Sequence, residues 1–231
     1  MGAAEGVVVG SNEGSTSSAL RGAAGWPLRK ASNALWRAGG VVRSSTPDVP
    51  DITGPGLLVK ATFYPVRTLT ADDTAALFDF IQDGLSDDSR YMRFLTPMPT
   101  VPESAATWLA DRDGHDRMAL AALDPDDFGH VVAVVEYARV PEGQPEVAVA
   151  VADDYQGQGL GCNLLRMLAT MSLAAGEPVW QCSMLADNEG SVRVMECVGD
   201  IEQVGISDAI RSVLVHLDPD RLLGLGPEAR R

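Results

Sequence analysis

Between residues 150 and 165 the chain reads Ala150-Val151-Ala152-Asp153-Asp154-Tyr155-Gln156-Gly157-Gln158-Gly159-Leu160-Gly161-Cys162-Asn163-Leu164-Leu165. The order is a small apolar strand, an acidic turn, a glycine-rich loop and then an apolar-periodic helix. A Gln-x-x-Gly-x-Gly turn at that place aims several backbone N–H groups at one point, at the positive end of a helix. That is chemistry for a diphosphate. Glycine suits such a loop because any Cβ would hold a phosphate away from the backbone. No Gly-Lys-Ser/Thr follows, so the loop is not that of a nucleotide triphosphatase. The alternating Gly157, Gly159 and Gly161 do not match the dinucleotide fingerprint either.

A strand, then Gln-x-x-Gly-x-Gly, then a helix resembles motif A of the GNAT superfamily of acyl-CoA N-acyltransferases. The resemblance covers about residues 57–217, and within it the chain is most similar to the Pat-type bacterial protein lysine acetyltransferases. Leu85-Ser86-Asp87-Asp88-Ser89-Arg90-Tyr91-Met92-Arg93-Phe94-Leu95 looks like their Leu-Ser-Pro-Glu-Ser-Arg-Tyr-x-Arg-Phe-Phe segment. Glu146-Val147-Ala148 before the loop, and Ala186-Asp187-Asn188-Glu189-Gly190-Ser191 after it, are also similar. No stretch resembles the acyl-CoA synthetase-like, cyclic-nucleotide-binding or amino-acid-binding modules that accompany such domains elsewhere.

The resemblance implies acetyl-CoA as acyl donor and a set of roles. Glu146, ten residues before Gln156, stands where the family's catalytic glutamate stands. An acceptor lysine with a pKa of about 10.4 has about one amine in a thousand unprotonated at neutral pH, so a general base is needed. Glu136, on the preceding strand, is the competing carboxylate. Backbone N–H groups of Ala150, Val151 and Ala152 are candidates for the oxyanion and for pairing with the pantetheine amides. Gln156, Gly157, Gln158, Gly159, Leu160, Gly161 and Asn163 are assigned to the diphosphate. Asn188 resembles the family's contact to the CoA arm, and Asn also suits a helix N-cap. Many relatives protonate the leaving thiolate with a tyrosine shortly after that asparagine. None occurs from Asp187 to Gly199, so no general acid is assigned. An acyl-cysteine route through Cys162 lacks a paired histidine within sequence reach.

Three expectations for activity follow. The first is acetyl transfer from a CoA thioester to a lysine on a protein. The second is transfer to a small amine by the same fold. The third is a CoA-binding regulatory protein without turnover.

The elements that must position these residues are legible from periodicity. Leu57–Leu69 reads as a strand. Thr70 caps a helix carrying Leu77, Phe78, Phe80 and Ile81, and helices follow at Ser86–Phe94 and Glu103–Ala110. Strands are expected at Met118–Leu123, Val131–Arg139 and Val147–Ala152. A helix at Leu160–Ala174 ends before Gly176 and Pro178. A strand at Val179–Met184, a helix at Gly190–Cys197 ended by Gly199, and a strand at Ile210–Leu217 complete the order. The fold class is mixed α/β. The resemblance makes it the GNAT fold, a central mixed antiparallel and parallel sheet flanked by helices, whose strands splay beside the loop to admit the pantetheine arm. Alternation puts Glu146, Ala148, Ala150 and Ala152 on one face and Val147, Val149 and Val151 on the other.

The sequence divides into an extension at residues 1–54, a catalytic domain at 55–222 and a tail at 223–231. The extension is low in complexity and rich in Gly, Ala and Ser, and it reads as disordered. A short amphipathic helix is possible within it at Pro27–Ala38. Its removal is expected to leave folding intact. The net charge is −14, and residues 1–54 hold five basic and four acidic side chains, so the body is the acidic part. Acidity argues against nucleic acid as a partner and suits a cationic acceptor. No secretory signal and no apolar run of transmembrane length is visible, so a cytoplasmic, non-membrane protein is expected. Cys162, Cys182 and Cys197 are odd in number and lack metal-ligand spacing; they read as reduced thiols, and no metal is expected.

Overall fold

The computed structural model describes residues 56–111, 116–140 and 143–222. The readings made for the extension at 1–54 and the tail at 223–231 lie outside the described residues.

One eight-stranded sheet organises the domain, with order β1-β2-β3-β4-β5-β6-β8-β7. The strands are β1 (Gly56–Val59), β2 (Thr62–Thr68), β3 (Arg117–Leu123), β4 (Val131–Ala138), β5 (Glu146–Val151), β6 (Val179–Leu185), β7 (Gly199–Ser207) and β8 (Ile210–Leu217). All neighbours run antiparallel except β5 and β6, which run parallel. The helices are α1 (Thr74–Gln82), α2 (Asp87–Phe94), α3 (Glu103–Ala110), α4 (Leu160–Ala174), α5 (Glu189–Met195) and α6 (Pro219–Leu222). This is the mixed α/β GNAT arrangement, and α3, α4 and β8 fall where periodicity put them.

Each face of the sheet owns a core. On one face α4 buries Leu160, Leu164, Leu165 and Leu168 against Val135, Tyr137 and Val147. Trp180 is fully buried there, and its indole N–H donates to Ser172 Oγ at 2.8 Å, so the ring enters the core with its polar edge satisfied. On the other face α1 and α3 bury Leu77, Phe80, Ile81, Ala106 and Leu109 against Ala119, Ala121, Val134 and Ala152. The valines of β5 therefore face α4 and its alanines face α1 to α3, as alternation requires. A capping box at Thr70 and Asp73 starts the turn into α1, and Arg67 closes on Asp73 at 2.6 Å.

Two strand readings need correction. The expected strand Leu57–Leu69 is a hairpin, broken at Lys60 and Ala61, both of which take left-handed φ values of 46° and 67°. Positive φ at both central residues is the geometry of a two-residue hairpin turn, in which Asn-Gly is usual. Lys-Ala gives no such signal. At the other end β7 occupies residues to which the sequence reading assigned no element, joined to β8 by a second turn of the same kind at Asp208 (φ 51°) and Ala209 (φ 62°). Gly199 opens β7 rather than simply ending a helix. A Cβ there would come within 2.1 Å of the His216 carbonyl oxygen, so only glycine lets the two strands approach.

Candidate functional site

The parallel pair β5–β6 touches at a single register position, Glu146 opposite Gln181. Beyond it β5 and β6 no longer pair, although β6 keeps its ladder with β8 and β5 keeps its ladder with β4. The result is a wedge with Glu146 at its apex and the glycine loop at its mouth. At about 3.4 Å per residue, β5 carries the apex roughly 17 Å from the mouth.

Backbone direction follows from the ladder. The Ala152 N–H donates to the Val132 carbonyl at 2.9 Å, toward β4. Successive residues of a strand point their polar groups to opposite sides, so Ala150 also bonds toward β4. Val147, Val149 and Val151 face the wedge. Of the three backbone groups named from sequence, only that of Val151 points into the opening, and Val149, which was not named, joins it. Near the apex the Val147 N–H bonds to the Cys182 thiol. Burial, with the charge of Glu146 beside it, pushes that thiol up to about 12, so Cys182 is inert.

At the mouth, a cavity of about 560 Å³ is lined by Val149, Ala150, Val151, Gln156, Gly157, Gly159, Leu160, Gly161, Asn188 and residues of α2 and α5, including Ser89, Met92, Arg93 and Arg193. Gly157 and Gly159 have φ values of 66° and 95°, which a side chain would strain. Gly161 serves differently. A Cβ on it would lie 3.1 Å from Val151 Cγ2 and 3.4 Å from Val149 Cγ2, so the missing side chain lets α4 settle on β5. The helix begins at Leu160, and its first N–H groups have no carbonyl a turn earlier to bond. They and the loop converge at the positive end of a 15-residue helix.

The remaining loop side chains fasten the loop. Gln156 Nε2 donates to the Val151 carbonyl (3.1 Å), Asp153 Oδ1 (2.9 Å) and Ser89 Oγ (3.3 Å). Asn163 Nδ2 donates to the Gly159 carbonyl at 2.9 Å. Gln158 sits outside the cavity and accepts from the Tyr64 hydroxyl at 3.3 Å. Asn188 lines the cavity and caps α5, its Oδ1 accepting from the Ser191 N–H at 3.0 Å. Asp153 is pushed up by burial, but hydrogen bonds from the first turn of α2 outweigh this and hold its carboxyl below the usual range. It thus ties α2 to the loop.

Glu146 is exposed at the apex, on the alanine face. Glu136 lies opposite Ala148 on the same face but is buried, and Arg93 is salt-bridged to it. The competing carboxylate is therefore engaged by a guanidinium. That pair joins residues 43 apart and escaped sequence reasoning.

One cysteine reading is overturned. Cys162 and Cys197 are joined as a disulfide, with Cα atoms 5.8 Å apart, and only Cys182 is free. The first turn of α4 and the end of α5 meet across the cavity, and both sulfur-bearing residues line it. Thirty-five residues separate them, and spacing arithmetic has no hold at that distance.

The sequence profile of the acetyltransferase (GNAT) domain family matches residues 66–199. Acetyltransferase PA5475 of Pseudomonas aeruginosa is 36% identical over 114 residues, which cover 48% of this chain and 60% of that protein. The chain thus spans less than two thirds of that relative's length. The GNAT domain of PAT from S. lividans superposes with a TM-score of 0.63 at 26% identity, covering 70% of this chain and 96% of that domain. A cAMP-binding acyltransferase from Mycobacterium smegmatis shares the fold with a TM-score of 0.50 at 21% identity, over 75% of this chain and 50% of that one.

Proposed function

Because the chain belongs to the GNAT acetyltransferase family, whose donor is acetyl-CoA, we propose that it transfers acetyl from acetyl-CoA to a lysine side chain on a protein. The observation that carries this reading is the single-residue contact of β5 and β6, which opens a wedge with a phosphate loop at one end and an exposed carboxylate at the other.

In this reading the loop N–H groups and the start of α4 hold the diphosphate. The pantetheine arm lies along β5 and pairs with backbone groups of Val149 and Val151, which face the opening. The thioester reaches the apex. There Glu146 takes a proton from the acceptor amine, directly or through one water, and the free amine attacks the thioester carbon. The C–N bond forms, the C–S bond breaks and CoA leaves as its thiolate, while the second proton on nitrogen passes to solvent or to the departing sulfur to leave the neutral amide. A backbone N–H of β5 facing the wedge steadies the oxyanion between these events.

Three features support a protein lysine as acceptor. The α2 segment that resembles the Pat-type motif supplies Ser89, Met92 and Arg93 to the cavity wall. The similarity to the S. lividans PAT domain extends over 96% of that domain. The acidic body favours a cationic acceptor. The test is purified protein with labelled acetyl-CoA and a panel of proteins, lysine peptides, polyamines and amino acids. Label on protein lysines is the expected result. Label on small amines alone would move the acceptor to that class, and CoA binding without turnover on any acceptor would reduce the protein to a sensor.

A further inference from the structure

We propose that Lys60 is a phosphate-binding residue of the acyl-CoA site, supplied by the β1–β2 turn to a loop that carries no cation of its own. The proposal rests on the acyl-CoA reading above.

A CoA thioester brings a diphosphate and a 3′-phosphate, and so several negative charges, to the mouth of the wedge. From Asp153 to Leu165 the chain offers two aspartates and no lysine or arginine. The protein as a whole carries −14. Backbone N–H groups and a helix terminus attract an anion, yet this one must approach through a field of its own sign. A cation reaching the loop from another element would offset that field.

Arg193 of α5 already lines the cavity wall, and the structure places a second cation at the loop itself. Lys60 Nζ lies 3.4 Å from the Gly157 carbonyl oxygen, across 97 residues of sequence. The ammonium is exposed and its partner is a single neutral carbonyl at the outer limit of hydrogen bonding. It is therefore free to turn toward a phosphate in the adjoining cradle. Of the two lysines in the sequence, Lys30 and Lys60, this is the one in the described residues.

Two independent features hold it in place. Tyr64, four residues on, donates to Gln158 at 3.3 Å and meets Tyr155 edge to face at 6.3 Å, so the hairpin is clasped to the loop. Val59, just before the turn, is buried in the core beneath α4. The turn is also built against local preference. Lys60 takes a left-handed φ of 46° where Asn or Gly is favoured, so the residue at that position is not the one the backbone alone would select.

The test is calorimetric titration of the full-length protein with CoA, 3′-dephospho-CoA and phosphate-free pantetheine, comparing the native chain with Lys60→Gln and Lys60→Arg. At low ionic strength Lys60→Gln is expected to weaken CoA about fivefold, the scale of one exposed ion pair. Lys60→Arg should restore most of the loss, added salt should erase the difference, and pantetheine should not distinguish the proteins. A difference that survives with 3′-dephospho-CoA assigns Lys60 to the diphosphate, and one that vanishes assigns it to the 3′-phosphate. Native and Lys60→Gln proteins binding CoA within twofold, with the same salt dependence, would overturn the proposal. A native chain that binds no CoA would instead overturn the acyl-CoA reading.

Discussion

The two ends of the wedge are built on opposite plans. At the mouth the loop is fastened from four directions: by Tyr64 of the hairpin, by Ser89 of α2, by Asp124 through Tyr155, and by the Cys162–Cys197 bond to the end of α5. At the apex a single exposed glutamate stands at the last pairing of two diverging strands. In the function proposed above the mouth holds a polyanion, and preorganised backbone donors do that well when they cannot relax. In the same proposal the apex admits a mobile acceptor and exchanges a proton with it, which suits an exposed glutamate. Substitutions at the apex should therefore change rate, and substitutions at the mouth should change affinity and stability.

The sharpest break of this contrast is Glu146→Gln. It should fold normally and bind CoA with native affinity while turnover at neutral pH falls about 10²–10⁴-fold. The deficit should shrink as pH rises toward the amine's own pKa, where the acceptor deprotonates unaided. Glu136→Gln should behave differently, losing stability because the half-buried Arg93 is left without its carboxylate. Native turnover of Glu146→Gln at pH 7 would remove the apex from the mechanism.

Next in size is the covalent fastening. Cys197→Ser should cost about 3–4 kcal/mol in the chain-entropy view of a closure spanning 35 residues. Urea denaturation of the native protein with and without a dithiol reductant should show the same difference, while the serine variant should ignore the reductant. Identical midpoints throughout would mean that the sulfurs are not joined in solution.

Gly161→Leu probes packing rather than phosphate contact. The added side chain must displace Val149 and Val151, so α4 should lift from β5, at a cost of about 1–3 kcal/mol. CoA affinity should fall with it, because the same helix start carries the cradle. Gly157→Ala meets no atom within 4 Å and strains only its φ of 66°, so it should be milder. A Gly157→Ala protein less stable than Gly161→Leu would reverse the roles assigned to the two glycines.

What could be read in advance follows from the reach of each signal. Local periodicity found α3, α4 and β8 to the residue, since a core-facing stripe repeats every turn or every second residue. The strand that starts at Glu146 and the glycine turn into α4 were legible because their spacing is fixed within one strand–turn–helix unit. The β1–β2 turn was not, because Lys60 and Ala61 adopt φ values their residue types do not announce. Neither were the Cys162–Cys197 bond, the Arg93–Glu136 pair or the Lys60 contact, which join residues 35, 43 and 97 apart. The wall of the site is set by the sheet's order, which no short window of sequence contains.

The smallest effect expected tests whether the mouth is braced at a distance. Tyr155, inside the acidic turn of the loop, donates its hydroxyl to Asp124 in the β3–β4 turn. That hydrogen bond, with burial, pushes the tyrosine up to about 12, so it remains a neutral donor across the working range. Asp124 is pushed up by burial, but the bonds from Tyr155 and from the Asp126 and Asp127 N–H groups outweigh it, and its carboxyl lies below the usual range. A carboxyl depressed in the folded state binds fewer protons there than when unfolded. Its contribution is therefore present above about pH 4 and is lost as pH falls through the folded value. Tyr155→Phe should cost about 1 kcal/mol at neutral pH, and less in strong acid, where Asp124 is protonated in both proteins. Amide exchange at Gln158, Gly159 and Leu160 should quicken while β3 and β4 stay protected. Exchange unchanged in the loop but faster in the β3–β4 turn would mean that the bond steadies Asp124's turn and not the phosphate site.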